Sequence, residues 1–342
     1  MARQRYIPAR VGILIGVTEV DFQARTEAHR RELLAYCYRM LGSVHEAEDL
    51  VQDTMLRAWQ ARDRYDERKA SVRTWLYRIA TNVCLTALRG RARRPLPSGL
   101  GGPSTDPDTP LVPAFDVPWL QPFPDSRLGD AGDPAARAVR RDGMRLALIA
   151  AMQLLPARQR AVWVLREVLE FSAAEVAGLL DSSVASVNSA LQRARAGLAG
   201  VVVVGGDDVG RPDDPAARRA VEAYVRAFEA ADVAALVELL TEDVILEMPP
   251  VPLWYLGRDD YAAFIRRVFA MRGAGWRMTP TAANGQPAVA AFAPDPGGGH
   301  RLHTLQVFTV HSGKIAHTVV FQDPAVFAAF DLPSLLSRAA GG

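Results

Sequence analysis

The feature that most constrains the fold is a pair of short amphipathic segments in residues 172–196, separated by a polar break. In the first segment, Val176 and Leu180 lie four residues apart and therefore share one face of a helix. The second segment carries an apolar stripe of Val184, Val187, Leu191, Ala194 and Leu198. The break, Asp181-Ser182-Ser183, offers side chains that can cap the second helix. The pattern predicts a helix-turn-helix, with an ordinary helical hairpin as the alternative.

The outward face of the second predicted helix is polar and suits the base-pair edges of duplex DNA. Asn and Gln side chains pair with adenine, Arg pairs with guanine or phosphate, and Ser pairs with either. The residues on this face are Ser186, Asn188, Ser189, Gln192, Arg193 and Arg195. A helix with such a face is expected to lie in the major groove.

Charge divides the chain more clearly than its net value of +2 suggests. Residues 21–94 hold fifteen basic and ten acidic side chains, and residues 135–200 hold nine and five. Between them, residues 95–134 hold one Arg and six Asp, and residues 207–342 hold twelve basic and sixteen acidic side chains. Two basic modules therefore flank an acidic tether and precede an acidic domain. This arrangement favours a polyanionic partner for the two modules.

The first basic module predicts three helices. One has an apolar stripe of Leu33, Leu34, Cys37, Met40 and Leu41, and Gly42 ends it. Ser43 begins the next helix with Glu46 three residues later, which is the pattern of a capping box. A third helix at 73–89 interleaves Arg with aromatic side chains, which suit unstacked bases and a single-stranded backbone. For Trp75, a core position and a base contact both remain open.

Cysteine content and hydropathy exclude several classes of protein. Cys37 and Cys84 are the only cysteines, and both lie in apolar helical patterns, so we expect buried core thiols. No run approaches the ~18 apolar residues of a membrane helix. The apolar run at 11–17 follows arginines, as in a signal peptide, but no small-residue cleavage site comes after it. We therefore expect a cytoplasmic protein without membrane contact, and a disordered extension over residues 1–24.

Taken together, these features resemble the extracytoplasmic-function sigma factors of the sigma-70 family. The resemblance rests on the motifs EAEDLVQDT at 46–54, RTWLYRIATN at 73–82 and LPARQRAV at 155–162, the last leading into the helix-turn-helix. It implies all-α sigma region 2 at 25–94 and region 4 at 137–200. The acidic Pro-rich segment at 95–136 would then be the linker between them.

The resemblance also implies partners and site residues. The partners are promoter DNA and core RNA polymerase, through its β′ clamp and β flap. The residues that match the docking face for the clamp helices are Asp49, Leu50, Gln52, Asp53 and Met55. Those expected to melt the −10 element and hold its non-template strand are Arg64, Tyr65, Arg73, Trp75, Arg78 and Asn82. Those expected to read the −35 element as duplex are Ser186, Asn188, Ser189, Gln192 and Arg193.

Two positions depart from the family pattern. Asn188 stands where other members often carry Arg, which leaves the sequence preference at −35 open. Many members place an aspartate shortly after the asparagine that corresponds to Asn82. Residues 82–86 contain no aspartate, which leaves details of the −10 contact open.

The linker has features beyond a flexible tether. Its prolines at 95, 97, 103, 107, 110 and 113 favour extended chain, and its acidity suits a path through a channel otherwise occupied by nucleic acid. Trp119, Leu120 and Phe123 are large apolar groups that usually need a docking surface. The peptide around them resembles the tryptophan-leucine-proline motif of sigma factors with a fused C-terminal domain.

After a second linker at 201–214, residues 215–335 predict an α+β cone. Helices are expected at 216–230, 233–240 and 261–271, and strands at 244–248, 288–292, 302–310 and 314–321. The pattern resembles the SnoaL-like, NTF2-like superfamily, so the chain as a whole is expected to be multi-domain. An exposed turn of Asn284, Gly285, Gln286 and Pro287 is expected to hold the Trp119 peptide and so fix the spacing of the two basic modules.

An enzyme tethered to a DNA-binding module is the alternative, because relatives of this domain isomerise ketosteroids or hydrolyse epoxides. Tyr224 matches the oxyanion tyrosine of the isomerases. Met248, however, stands at the position of the base, and Leu305 or Gln306 stands at that of the second acid. With one of three roles filled, we expect no catalysis and no cofactor.

We expect a regulatory domain instead. Its cavity is predicted to be edged by Trp254, Tyr255, Phe228 and Asn284, and a small ligand or a separate anti-sigma factor is a further candidate partner. The histidines His300, His303, His311 and His317 fit strand faces better than a metal site.

Overall fold

The computed structural model describes residues 19–129, 144–204 and 214–336. The first module consists of helices α1 (Glu19–Glu27), α2 (Arg30–Leu41), α3 (Val44–Gln60) and α4 (Val72–Ala87). Gly42 ends α2 with a φ of 69°, and the Ser43 hydroxyl accepts a hydrogen bond from the backbone N–H of Glu46. Both boundaries confirm the sequence prediction. Cys37 and Cys84 are buried free thiols with their Sγ atoms 3.7 Å apart, also as expected.

Helix α1 corrects the expectation that a disordered extension reaches residue 24. The helix begins at Glu19, and Phe22 is only 6% exposed. The Phe22 ring lies 6.2 Å from the ring of Trp59 and 6.1 Å from that of Trp75. Contact with two aromatic rings explains the order of this segment. The rest of the expected extension, 1–18, lies outside the described residues.

The second module contains the predicted helix-turn-helix. Its helices are α5 (Leu146–Leu154), α6 (Ala157–Trp163), α7 (Ala173–Leu179) and α8 (Val184–Val204), and a π-helical turn, Val164–Val168, continues α6. A capping box between Ser172 and Glu175 begins α7. The predicted stripe on α8 is buried at Val187, Leu191, Ala194 and Leu198. Val184 does not belong to it and is 44% exposed, because it lies at the first residue of the helix.

The C-terminal domain consists of helices around one sheet. Its helices are α9 (Pro215–Glu229), α10 (Val233–Glu238), α11 (Arg258–Arg272) and α12 (Pro324–Ala329). Its strands are β1 (Leu240–Glu247), β2 (Trp254–Leu256), β3 (Arg277–Ala283), β4 (Gln286–Pro294), β5 (His300–His311), β6 (Lys314–Phe321) and β7 (Leu335–Leu336). The strand order is β2-β1-β6-β5-β4-β3, with β7 beside β5. Strands β1 and β6 are parallel, and the other neighbours are antiparallel.

The two faces of the sheet have different partners. Helices α9, α10 and α11 cover one face, where Phe228, Trp276 and Phe308 are buried in the core of the domain. On the other face, Val307 and Phe321 belong to a single apolar cluster that also contains residues of both helical modules. The sheet therefore holds the first and second modules against its back. None of the helices in the described residues has the length and apolar character that crossing a bilayer requires.

Candidate nucleic-acid interface

The predicted groove-reading helix presents a continuous polar face. Five residues on α8 are exposed together: Ser186, Asn188, Ser189, Gln192 and Arg193. The Ser183 hydroxyl accepts a hydrogen bond from the backbone N–H of Ser186, which caps the helix at its exposed end. Burial of the opposite face fixes the direction of this surface, so its Asn, Gln and Arg groups are available to base-pair edges.

The predicted polymerase-docking face lies on α3, opposite a buried stripe that includes Val51 and Ala58. Asp49 and Gln52 are exposed, and Leu50, Asp53 and Met55 are partly exposed. Sequence reasoning missed one neighbour, Leu56, which is 55% exposed. The signal was available, because Leu56 follows Asp49 by seven residues and Asp53 by three, which places all three on one side of a helix.

The residues predicted for the −10 element fall into two groups. Arg64 and Asn82 are exposed, and the rings of Tyr65 and Trp75 lie 5.0 Å apart. Trp75 is half-buried between Tyr65 and Phe22. A core position and a base contact are therefore both compatible with Trp75, because one part of its ring packs in the core and another part reaches solvent.

The second group, Arg73 and Arg78, contacts the second module. Arg78 lies 2.7 Å from the carboxylate of Asp181, in the turn of the helix-turn-helix. The Arg73 guanidinium lies 4.7 Å from the ring centroid of Phe171 and pairs with Glu32 at 3.0 Å. Burial alone would raise the pKa of Glu32, but hydrogen bonding to His29 and the charge of Arg73 keep that pKa lowered. Two predicted DNA contacts are thus engaged within the protein.

Asn284 joins three parts of the chain. Its side-chain Oδ1 accepts a hydrogen bond from the backbone N–H of Phe123 at 2.7 Å. Its Nδ2 donates to the hydroxyl of Tyr38 at 2.8 Å and to the carbonyl of Met144 at 2.7 Å. The linker, the first module and the start of the second module therefore meet at one fully buried amide.

The rest of this turn strengthens the contact. Asn284 and Gly285 have φ values of 58° and 65°, as a two-residue turn between β3 and β4 requires. The Gly285 N–H donates to the Asp125 carboxylate at 2.9 Å, and the Gln286 side chain accepts from the Leu146 N–H at 2.8 Å. We predicted an exposed turn here, which is wrong, because Asn284, Gln286 and Pro287 are buried under the two modules.

The apolar linker residues also occupy defined positions. Leu120 and Phe123 are fully buried, and the ring of Phe123 lies 4.8 Å from that of Tyr38. Trp119 is half-buried and donates its indole N–H to the carbonyl of Ala114. The structure thus brings Leu120, Phe123 and the Asn284 turn together, whereas Trp119 contacts the linker itself.

Two residues at this junction were missed. Tyr38 lies beside the predicted stripe and was not included in it. Helix α2 is apolar around most of its circumference, which is the signal for burial on more than one side. Arg160 is 4% exposed and donates to the carbonyl of Met40 and, at 2.7 Å, to the side chain of Gln153. No local sequence pattern distinguishes Arg160 from the surface arginines around it.

The acidic linker follows the edge of the C-terminal domain. The Ser104 N–H donates to the carbonyl of Trp254 at 2.8 Å, and the Trp254 indole donates to the carbonyl of Gly101 at 2.8 Å. Arg267 donates to the carbonyl of Thr109 at 2.7 Å, and Leu111 packs against the core of the domain. In this structure the linker therefore covers the sheet edge and helix α11. Its last residues, 130–136, lie outside the described residues.

The predicted cavity of the C-terminal domain does not form around its four expected residues. Phe228 and Tyr255 are buried among aromatic side chains on the helical face of the sheet. Asn284 instead lies in the β3–β4 turn and contacts Tyr38 and Met144. Trp254 contacts the linker, since its indole N–H donates a hydrogen bond to the carbonyl of Gly101. The sequence pattern located these residues on helices, strands and turns, but it did not determine which face of the sheet each side chain lies on.

Tyr224, the candidate oxyanion donor, belongs to a buried polar cluster. The hydroxyl of Tyr224 lies 3.2 Å from that of Tyr261 and 3.1 Å from Oε1 of Gln306. Burial raises the pKa of Tyr224 well above its usual value. Met248 is 3% exposed and brings no titratable group. Within the described residues, no group of three or more His, Cys, Asp or Glu side chains is arranged to hold a metal ion.

Comparison with protein families assigns each part of this architecture. Residues 26–94 match sigma-70 region 2, residues 145–198 match sigma-70 region 4, and residues 221–318 match a SnoaL-like domain. The ECF RNA polymerase sigma factor SigG of Mycobacterium tuberculosis is 47% identical over 317 residues, which cover 92% of this chain and 85% of the relative. The chain belongs to the ECF RNA polymerase sigma factors.

Two further comparisons concern the sigma factor SigJ of M. tuberculosis. Its sequence is 32% identical over 219 residues, which cover 64% of this sigma factor and 62% of the relative. Its crystal structure superimposes with a TM-score of 0.62 at 23% identity, covering 91% of this chain and 100% of that one. The similarity of the two structures extends to the C-terminal domain, so the multi-domain fold, with two helical regions and an NTF2-like cone, is confirmed.

Proposed function

We propose that this sigma factor exists in a closed arrangement, held by its SnoaL-like domain, that must open before the promoter is bound. The observation that carries the proposal is the set of three hydrogen bonds from the Asn284 side chain to Phe123, Tyr38 and Met144. They tie region 2, the linker and the start of region 4 to one hairpin turn. These hydrogen bonds stabilise the closed arrangement as a set. Breaking one of them would leave a buried polar group without a partner, which is unfavourable.

The geometry of a promoter supports the need to open. The −35 and −10 elements are about 25 base pairs apart, which at 3.4 Å per base pair is roughly 85 Å of DNA. In the closed arrangement Arg78, assigned to −10, and Asp181, in the turn before the −35 helix, are 2.7 Å apart. Both elements cannot be read at once while this contact persists.

In the open form, the predicted surfaces would act separately. The α3 face around Asp49 and Met55 would bind the β′ clamp, with Leu56 as an added contact, and region 4 would meet the β flap. Tyr65, Trp75 and the freed Arg73 and Arg78 would hold the −10 strand, and the α8 face would read −35. Since its partners are polymerase and promoter, we propose that the protein acts in the cytoplasm.

We propose that the cone itself is not catalytic. An isomerase of this type needs a carboxylate base beside its oxyanion tyrosine, and Met248 supplies no proton transfer. Tyr224 is already bonded to Tyr261 and Gln306. The aromatic side chains around it support a packed structural core, which suits a domain whose task is to bind the two sigma regions on its back.

Run-off transcription with core polymerase tests the closed arrangement. Asn284→Gly keeps a residue that tolerates positive φ but removes three side-chain hydrogen bonds, each contributing about 1 kcal/mol. Together these correspond to a shift of roughly a hundredfold in the equilibrium between closed and open forms. We therefore expect a gain in transcript well above fivefold at limiting sigma factor, and a similar gain on truncation after Ala199. The matched control is Ser312→Gly, a change in the β5–β6 turn, where φ is 49°.

The outcomes separate the readings. Unchanged yield from Asn284→Gly, together with intact polymerase binding, would refute the closed arrangement. If neither the full chain nor the truncation starts a promoter-specific transcript, the assigned surfaces are wrong.

A further inference from the structure

A cavity of about 470 Å³ lies where region 2, the linker and region 4 meet. Region 2 contributes Arg91, Arg93 and Glu46 to its wall, the linker contributes Pro118, and region 4 contributes Arg160 among other residues. This volume is within the range of pockets that enclose small organic ligands. It is too small for duplex DNA, whose major groove alone is about 12 Å wide.

The wall is strongly basic. Arg91, Arg93, Arg94 and Arg160 line the cavity together with a single carboxylate, that of Glu46. Glu46 is shared, because Arg91 and Arg94 both lie 2.8 Å from the same oxygen. Among the described residues, neither Arg93 nor Arg160 has a carboxylate within ion-pair distance. Within the described part of the chain, two positive charges at this junction therefore lack a carboxylate partner.

Arg160 makes the imbalance most pronounced. Its guanidinium donates only to neutral acceptors, namely the carbonyls of Met40, Gln153 and Leu155 and the side chain of Gln153. Its Nε is buried and has no hydrogen-bond partner among the residues that the structure describes. Burial, with a smaller contribution from Arg93, lowers the pKa of Arg160 to about 10. A buried charge without a counter-ion is unfavourable, and a bound anion would relieve that cost.

We propose that this cavity binds a small phosphorylated anion, up to the size of a nucleotide. Arg93 of region 2 donates hydrogen bonds to the anion, and the buried charge of Arg160 of region 4 attracts it, since the terminal N–H groups of Arg160 are already bonded to protein acceptors. Phosphate oxygens match the forked donors of arginine, and the apolar side of the wall, with Leu41, Leu88 and Leu155, suits a base or another apolar group. Because the wall comes from three segments, the ligand stabilises the closed arrangement over the open one.

Isothermal titration of the full chain with ATP and with pyrophosphate tests the proposal. We expect one binding site, higher affinity at low salt, and an increase of the melting temperature with ligand concentration. Arg93→Gln is the test variant, since Arg93 is exposed and forms no ion pair with a described residue. It should weaken binding about tenfold or more, as loss of one charge-assisted contact predicts. Arg218→Gln, an exposed arginine of α9 outside the cavity, is the control and should bind normally.

Each outcome decides the question. Binding of both probes with equal affinity supports a polyphosphate site, and tighter binding of ATP supports a nucleotide site. No binding at millimolar probe, or equal weakening by Arg93→Gln and Arg218→Gln, overturns the proposal. It is also overturned if Arg93→Gln leaves probe binding unchanged but weakens promoter binding by the holoenzyme, because the arginines would then serve DNA. None of these binding results depends on whether Asn284 controls transcription.

Discussion

At the scale of single residues, the contact between Arg78 and Asp181 links the two DNA-binding modules directly. The two side chains are 51% and 71% exposed, so solvent screens the pair and it contributes at most about 1 kcal/mol. The pair matters because of where it lies. Arg78 is predicted to contact the −10 element, and in this arrangement it is bonded to Asp181 of the helix-turn-helix that is predicted to read the −35 element. The stronger closing contacts are the buried ones at Asn284 and Arg160, where water does not compete.

Removing the charge of Asp181 should therefore have a small effect in a defined direction. We expect Asp181→Asn to raise transcript yield at limiting sigma factor by no more than about fivefold, which corresponds to 1 kcal/mol. Glu27→Gln is the control, since it breaks a similarly exposed pair, with Arg30, at the end of helix α1. Binding of a −35 duplex alone should stay the same. A gain in that binding would place the effect on DNA and not on the closed arrangement.

At the scale of elements, the end of α2 is where helix capping and interdomain packing coincide. Gly42 adopts the left-handed conformation that ends the helix, and its carbonyl accepts a hydrogen bond from the N–H of Gln121. A Cβ at this position would lie 2.7 Å from a methyl carbon of Leu120 and 3.3 Å from the Gln153 side chain. One glycine thus serves the helix, the linker and region 4.

Gly42→Ala should destabilise the closed arrangement more than its backbone strain alone would. The matched control is Gly90→Ala, since Gly90 has a φ of 71° but nothing within 4 Å of an added Cβ. Both variants carry about 1 kcal/mol of strain from positive φ, and only Gly42→Ala adds the clash. We expect a lower melting temperature and higher transcript yield for Gly42→Ala than for Gly90→Ala. Equal melting temperatures would show that the linker moves aside without cost.

At the scale of the whole molecule, regions 2 and 4 both pack against the sheet of the SnoaL-like domain. One apolar cluster runs from Leu41 in region 2 through Leu146 in region 4 to Phe321 in the sheet. A continuous core across domains favours one compact particle over three bodies on tethers. In the proposed mechanism, binding of polymerase and promoter supplies the free energy that separates the regions.

Small-angle scattering of the free chain measures this compactness. A single compact particle of this length has a radius of gyration of about 20 Å. The double variant Leu120→Ala with Phe123→Ala removes two fully buried linker side chains and should increase the radius by several ångströms. Val112→Ala with Phe115→Ala is the control, since these linker side chains are 65% and 78% exposed. A free wild-type chain that already scatters as separate bodies would contradict the closed arrangement.

The sequence by itself determined the local features. The cap at Ser43, the glycine at the end of α2, the capping box at Ser172 and the buried stripe of α8 all follow from residue type and helical period, which act over a few residues. The same information, with motifs such as the one at 46–54, was enough to predict the family. It was not enough for strands β2 and β3, which are short or contain Pro and lack regular alternation.

Only the tertiary structure decided which surfaces meet. Asn284 and Tyr38 are 246 residues apart, and Arg78 and Asp181 are 103 apart, so no periodic pattern links them. Phe22 and Arg160 look like ordinary residues of a terminal segment and a basic helix until their neighbours are known. The reason is physical: capping and amphipathicity depend on neighbours along the chain, whereas burial of an isolated polar or charged group depends on segments that packing brings together.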